Sequence, residues 1–478
     1  MKKPVVLLVK SRSRGSKVPN SVPPLGLLYL AACLRERLGA EVRLLDAYFE
    51  EDAPAAAAAA ARQLGADVVG FTCLTVESPL AHSMAAAVKA ENPSCALVLG
   101  GPHASSDPDT VLKDPNIDAA VIGEGEETFT DLVRLVCTEG QGWKEPASLR
   151  QVPGLAFRGP EGLELSAPRE LIKDLDALPL PAWDLIDYRR YWHKSSMSTI
   201  RYGAYLPMIT SRGCPYRCVF CHRIFGKTFR ARSPERVAEE AALAKRLGAG
   251  AVEFYDDIAN FDKARFARML ELLAARGPDL DLSFPNALRA DLLDTDSLDL
   301  LKRAGTREVS VAVETACPRL QKLINKHLAL EKVTAAINGL ADRRIFTRGF
   351  FMLGLPSETQ AEMLETIRYA HSSRLHMAFF FTPNPYRNTE LYNMFDRAGK
   401  LPGAVSAADF EYSASPFNAS EMSDARFRWL YRWAFFGFFM DPARMFRTAR
   451  DGDFGLDMPS RGWQMLRDSL AFGHREAR

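Results

Sequence analysis

The chain has 478 residues, 47% apolar and 25% charged, with a formal net charge of +2. Such a length implies two or three domains, and the near-neutral balance supplies no field to draw the chain to nucleic acid. No run approaches the uncharged apolar length of a transmembrane span, and the opening "MKKPVVLLVKSRSRG" holds too short an apolar run for a signal peptide.

The first 140 residues alternate strand and helix patterns. "PVVLLV" (4–9) reads as a buried strand, and "LGLLYLAACLRERLG" (25–39) has helical period and stops at Gly39. "AEVRLLDA" (40–47) is a second strand, followed by an Ala-rich helix over 53–64, since Ala is the best helix former. "ADVVGFTCL" (66–74), "CALVLGG" (95–101) and "DAAVIG" (118–123) complete five strands, with helices over 78–91 and 126–137. Short strands separated by helices imply a doubly wound parallel sheet, so 1–140 is taken as one α/β domain.

Residues 141–195 are rich in Pro and Gly and read as a connector carrying a small hairpin. From 196 to 395 a second series follows, with strands expected at 206–212, 251–256, 282–287, 308–314, 346–354 and 377–383. Helices near 233–247, 262–275, 296–304, 331–341 and 359–372 alternate with them. Six βα units suggest an open, partial TIM-type barrel. Residues 396–478 read as helical, and "RFRWLYRWAFFGFFM" mixes Arg with aromatics. That helix has three open roles: a buried amphipathic helix, a lid over a substrate, or an interfacial helix making peripheral membrane contact.

Three of the eight cysteines, Cys214, Cys218 and Cys221, fall together in "SRGCPYRCVFCH" (211–222). Eight cysteines with no secretion signal read as cytoplasmic, where clustered thiols point to metal. Structural zinc takes four ligands, and the nearest histidine, His222, directly follows Cys221 and has to fold back to serve. A 4Fe–4S cluster also takes four ligands, so three thiols leave one iron open. Cys33, Cys73, Cys95 and Cys137 on apolar runs, and Cys317 past a strand end, read as inert.

The cysteine stretch resembles the CxxxCxxC signature of the radical S-adenosylmethionine (radical SAM) family, and it follows the first barrel strand, as in that family. The resemblance implies that the open iron binds S-adenosylmethionine (SAM) and that the cluster's electron cleaves it to methionine and a 5′-deoxyadenosyl radical. Phe220 matches the aromatic placed near the adenine. Asp256 and Asp257 in "VEFYDD", Glu314 in "VSVAVET" and Gly354 in "GFFMLGLPSET" match positions that contact SAM. Their plainer readings are a helix cap for Asp257 and a solvated strand end for Glu314. Glu358 reads as a cap of the next helix; Arg289 and Lys326 lie near strand or loop ends, where either meets a carboxylate or is an ordinary surface charge, the latter being the default.

The stretches "PPLGLLYLAACLRERLGAEVRLLDA" (23–47), "ADVVGFTCLTVES" (66–78), "LVLGGPHAS" (97–105) and "VIGEGEETF" (121–129) resemble the cobalamin-binding domain that precedes the radical domain in a large subfamily. The resemblance places Thr72, Leu74, Gly100, Gly101 and Glu124 at the cobalamin edge, the glycines to let backbone approach a bulky group. The loop after strand one lacks the Asp-x-His-x-x-Gly of methionine synthase-type domains. Either cobalamin binds without a protein His ligand, or the pocket has lost it. His103 sits after strand four, the wrong place for a cobalt ligand. Lys10, Arg12, Arg14 and Lys17 read as a solvated basic loop, with phosphate contact as the alternative.

Together these features imply a cytoplasmic cobalamin-dependent radical SAM enzyme that methylates an unactivated carbon of a small-molecule or lipid substrate. An electron donor such as flavodoxin or ferredoxin follows from that chemistry. No side chain is singled out as a catalytic acid or base. A non-methylating, anaerobic cyclase-like enzyme is the first alternative, and a non-catalytic cobalamin-binding sensor or carrier the second.

Overall fold

The computed structural model describes residues 3–12, 22–192, 194, 196–200, 202–222, 224–275, 279–401 and 418–452. Arg14, Lys17 and the C-terminal stretches 402–417 and 453–478 lie outside these. The chain forms two compact units, the first from residues up to Lys194 with His222–Gly226, the second from most of the remainder.

The first unit is built on β1 (Val5–Lys10), β2 (Glu41–Asp46), β3 (Val68–Thr72), β4 (Ala96–Gly100), β5 (Ala119–Val121), β6 (Leu155–Gly159) and β7 (Gly162–Leu165), in sheet order β2-β1-β3-β4-β5-β6-β7. Strands β1 to β5 are parallel, whereas β6 pairs antiparallel with β5 and with β7. The sheet is therefore seven-stranded rather than the expected five, because the connector's hairpin adds to its edge. Val6 to Val9 of β1 are fully buried, as a central strand covered on both faces requires. The helix Leu25–Leu38 lies against Gly125–Glu139, and Ala53–Leu64 against Ser78–Glu91, giving two apolar layers on opposite faces. The Ala-rich helix starts where Asp52 accepts the Ala55 N–H at 3.1 Å. Strand order reverses direction between β1 and β3, and ligands of doubly wound sheets bind beyond the strand C-termini at such a point.

The second unit contains β8 (Tyr205–Met208), a two-residue ribbon of β9 (Ser211–Arg212) and β10 (Arg230–Ala231), then β11 (Ala251–Phe254), β12 (Asp281–Leu288), β13 (Thr306–Glu314), β14 (Phe346–Met352) and β15 (Met377–Phe381). Its main sheet runs β15-β14-β13-β12-β11-β8, all parallel and in sequence order. Each strand lies beside its successor, and no barrel closure joins β15 to β8 among the described residues. A buried ion pair, Arg348 to Glu308 at 2.8 Å, crosses from β14 to β13. Glu308 also accepts the Thr199 and Ile200 amides, while Arg348 donates to the Met197 carbonyl at 2.9 Å and the Pro285 carbonyl at 3.0 Å. These bonds tie 197–200 onto the sheet; leaving either charge unpaired costs about 3–5 kcal/mol.

The helix Asp424–Phe439 buries Phe427, Leu430, Tyr431, Ala434, Phe435 and Phe438. Tyr431 donates to the Phe380 carbonyl of β15 at 2.7 Å, and the Phe380 and Phe435 rings meet edge to face at 5.1 Å. One face is thus a packed amphipathic face, while Trp429, Phe436 and Met440 are exposed on the other. No described helix is long and apolar enough to cross a membrane.

Candidate active site

The cysteine loop leaves the C-terminal side of β8 and is pinched at its neck by the β9–β10 ribbon, in which Arg212 pairs with Arg230 and Ser211 with Ala231. Gly213 turns the chain into the loop at φ +81°. Both acidic residues after β11 act on this neck. One oxygen of Asp256 accepts three bonds: Thr210 N–H at 3.1 Å, Thr210 Oγ1 at 2.8 Å and Ser211 Oγ at 2.5 Å. Asp257 accepts the Gly213 N–H at 3.2 Å. It does not cap the helix Lys263–Ala275; Asp262 does, accepting the Arg265 N–H at 3.0 Å. Burial pushes both the Asp256 and Asp257 carboxyls above the usual carboxylate range.

The three thiols differ. Cys214 is half-buried, Cys218 buried and Cys221 exposed. A hydrogen bond from Cys221 brings Cys218 down to about 7, with Lys326 contributing, and the same bond raises Cys221. Burial raises Cys214. By contrast, burial pushes Cys33 and Cys95 up to about 12, and Cys73 upward as well. Of these thiols Cys218 is the one whose ionisation is favoured, and the buried three are held toward the neutral form. Among the described residues no three His, Cys, Asp or Glu side chains converge on a single-ion site. His222 is not folded back toward the cysteines: its Nδ1 lies 3.1 Å from Ser106 Oγ within the first unit.

Phe220 and Val219 pack between two apolar clusters, one of Cys317, Leu320, Ile324, Met352 and Leu355, the other of Leu391, Phe395 and Ala419. Glu314 ends β13 in a left-handed conformation, φ +65°, and pairs with Lys326 at 3.1 Å. It is 7% exposed, so it is not a solvated strand end. Lys326 and Arg289 are not surface charges either: the Arg289 guanidinium stacks 3.6 Å from the Tyr216 ring centroid and pairs with Asp291 at 3.0 Å. Gly354 follows β14 at φ +93°. Its N–H donates to Glu358 at 2.6 Å. Glu358 therefore closes this turn, and the next helix is capped instead by Thr359 with Glu362.

In the first unit, Thr72 ends β3 in register with Lys10 of β1 and Gly100 of β4. Leu74 is 38% exposed just beyond it. Gly101 has φ +87°, and a Cβ there would lie 2.4 Å from Thr72 Oγ1. This local approach is enough to demand glycine at 101; at Gly100 a Cβ would meet only ordinary contacts, 3.6 Å from Val121 Cβ. The Glu124 carboxylate is buried and accepts the Ile172 N–H at 2.8 Å, which makes it an anchor for the former connector. His103 is 2% exposed, packed inside the first unit.

The B12-binding domain family matches residues 12–133, and the radical SAM superfamily matches residues 208–370. An uncharacterized methyltransferase of Pyrococcus horikoshii is 31% identical over 379 residues, 78% of this chain and 79% of that protein. The chain belongs to the B12-binding radical SAM family. An anaerobic magnesium-protoporphyrin IX monomethyl ester cyclase of Rubrivivax gelatinosus is 28% identical over 403 residues, covering 84% of this chain and 70% of the relative. The radical SAM methyltransferase TsrM of Kitasatospora setae, solved with tryptophan and a SAM analogue, superposes at TM-score 0.72 and 19% identity over 93% of this chain and 90% of that one. The family thus includes methyltransferases and non-methylating cyclases.

The residues that sequence reasoning missed are those that grip the family's cysteine loop. The Ile324 carbonyl accepts the Val219 N–H at 3.1 Å, Asn325 donates to the Arg217 carbonyl at 2.8 Å, and the Val219 carbonyl accepts the Leu391 N–H at 2.9 Å. Two of these are backbone contacts at a separation of a hundred residues or more, for which side-chain identity gives no signal.

Proposed function

We propose that this chain is a cobalamin-dependent radical SAM methyltransferase acting on a carbon of a small-molecule or lipid substrate. The observation that carries the reading is a single loop presenting three thiols on the C-terminal side of an open parallel sheet, in a chain that also has a B12-binding domain. Cys214, Cys218 and Cys221 fit the three protein ligands of a 4Fe–4S cluster. Phe220, Glu314 and Gly354 stand around that loop or at strand ends where SAM would bind. Thr72, Leu74 and Gly100 stand at the sheet edge where cobalamin would be held. When bound, the cluster supplies the electron that cleaves SAM to a hydrogen-abstracting radical, and cobalamin carries the methyl group. The protein's share is to hold the thiols, orient the cofactors and exclude water.

Within the second unit Asp256 fixes the neck of the cysteine loop, and within the first Glu124 anchors the segment at Ile172. The eight free cysteines support a reducing, cytoplasmic setting, and a flavodoxin or ferredoxin is the class of donor the electron requires. The test is anaerobic reconstitution with iron, sulfide and cobalamin, followed by metal analysis and turnover with SAM. About one cobalt per four irons, with 5′-deoxyadenosine released and a methyl group gained by the product, is the expected result. The resemblance to the Rubrivivax cyclase favours a second reading without methylation. Iron without cobalt, or deoxyadenosine without methyl gain, would establish that alternative, and no deoxyadenosine at all would leave a cobalamin carrier.

A further inference from the structure

Residues 324–327, Ile-Asn-Lys-His, form a strap along the cysteine loop. Ile324 and Asn325 bind its backbone at Val219 and Arg217. Asn325 and His327 both adopt left-handed conformations, φ +54° and +51°, and bond to each other through their side chains at 2.7 Å. Arg289 fixes the far side, donating to the Lys326 carbonyl at 3.2 Å and the His327 carbonyl at 3.1 Å. Two non-glycine residues in this region within three positions are a local strain that persists only where surrounding contacts over-determine it. What the strap delivers is the Lys326 ammonium. It is 14% exposed, stands 5.9 Å from the centroid of the Phe220 ring between Cys218 and Cys221, and has Glu314 as its carboxylate partner at 3.1 Å.

We propose that Lys326, held by the 324–327 strap and moderated by Glu314, is an electrostatic tuning residue that raises the reduction potential of the cluster on Cys214, Cys218 and Cys221. The proposal rests on the cluster assignment and goes beyond it, since it concerns when the cluster accepts an electron. The couple is one-electron: the cluster with its thiolates gains one electron and one unit of negative charge, and no proton or bond is exchanged. A cation held in place and largely buried against the cysteine loop favours the more negative state.

The experiment is an EPR-monitored redox titration of the reconstituted full chain without SAM, with dithionite and mediators. Lys326→Met is expected to lower the reduced-to-oxidised ratio at a fixed potential by at least tenfold, a 59 mV shift for one electron. Lys326→Arg is expected to restore the wild-type midpoint. Glu314→Gln, which frees the cation from its partner, is expected to move the midpoint upward. These opposite signs separate charge from disruption, because structural damage has no reason to reverse with the sign of the removed charge. If Lys326→Met fails to hold iron, the upward shift in Glu314→Gln carries the test. A normal cluster signal with both midpoints unmoved, or moved the same way, would overturn the proposal alone. A wild-type chain that takes up no iron would overturn the cluster assignment and this proposal with it.

Discussion

The Gly354 amide donates to the Glu358 carboxylate at 2.6 Å, and the Leu355 amide donates to the same oxygen at 3.0 Å. The other carboxylate oxygen is buried with no partner. Burial, only partly opposed by the two amides, pushes this carboxyl from 4.5 up to about 8.

A pH dependence follows from that turn. The folded chain keeps a proton on Glu358 that the unfolded chain releases near pH 4.5, so stability is greatest below 4.5 and declines as pH rises to about 8. Glu358→Gln offers the same acceptor to both amides and never ionises. It should flatten this decline and stabilise the chain at pH 8.5 by on the order of 2 kcal/mol. Anaerobic thermal melts of both proteins at pH 5.5, 7 and 8.5 check this; parallel pH curves would exclude it.

Gly101 gives a steric prediction in the first unit. Its φ of +87° and ψ of −165° lie where essentially only glycine goes, and a Cβ would strike Thr72 Oγ1. Gly101→Ala should destabilise the first unit by about 3 kcal/mol, the sum of backbone strain and clash. Adding Thr72→Ala relieves only the clash, so the double variant should be more stable than Gly101→Ala alone. Urea unfolding followed by cobalamin uptake measures both. Equal stability of the single and double variants would mean that the Thr72 contact is not what requires glycine.

His103 supplies a test of the missing cobalt ligand. Neither ring nitrogen has a hydrogen-bond partner, and burial lowers its pKa from 6.5 to about 4. Its folded pKa is depressed, so its contribution is full above pH 6.5 and is lost as pH falls toward 4. Burial of His376 acts in the same window. His103→Leu should reduce the acid sensitivity without abolishing it, and raise stability near pH 5 by about 1–2 kcal/mol. The absorbance spectrum of bound cobalamin should not change. A changed cobalt spectrum would restore His103 as a ligand and refute the sealed-core placement.

Much of this architecture was legible in the sequence because its signals are local. The six strands of the second sheet are apolar runs bounded by Gly and charged residues, and "GCPYRCVFC" is a contiguous motif. What was not legible is what each polar residue faces. Asp256 and Glu124 have the side chain and near-strand-end position of ligand-binding acids, yet each is engaged by the protein's own donors, and Glu358, which reads as a helix cap, closes the turn at Gly354 instead. Lys326 and Arg289 looked like surface charges because nothing local marks a lysine whose partner, Glu314, is twelve residues away or an arginine stacked on Tyr216. The hairpin at β6–β7 was legible, but its addition to the first sheet depends on long-range pairing.

The two acids after β11 separate a role at the loop's neck from a role on SAM. Asp256 is 3% exposed and gives one oxygen to three donors from Thr210 and Ser211, immediately before the cysteine loop. Asp256→Asn retains an oxygen for those donors and should hold iron nearly as well as the wild type. Asp256→Ala leaves three buried donors unpaired, at about 1–3 kcal/mol each before relaxation, and should lose most of its iron after desalting. Asp257 makes a single bond, to the Gly213 N–H, against the three that Asp256 accepts, so Asp257→Asn should keep full iron content. Iron per chain and SAM binding by equilibrium dialysis, read on the same samples, decide the matter. Full iron in Asp256→Ala with weakened SAM binding would return Asp256 to the ligand role, because a neck that can lose three bonds without losing iron is not what holds the thiols in place.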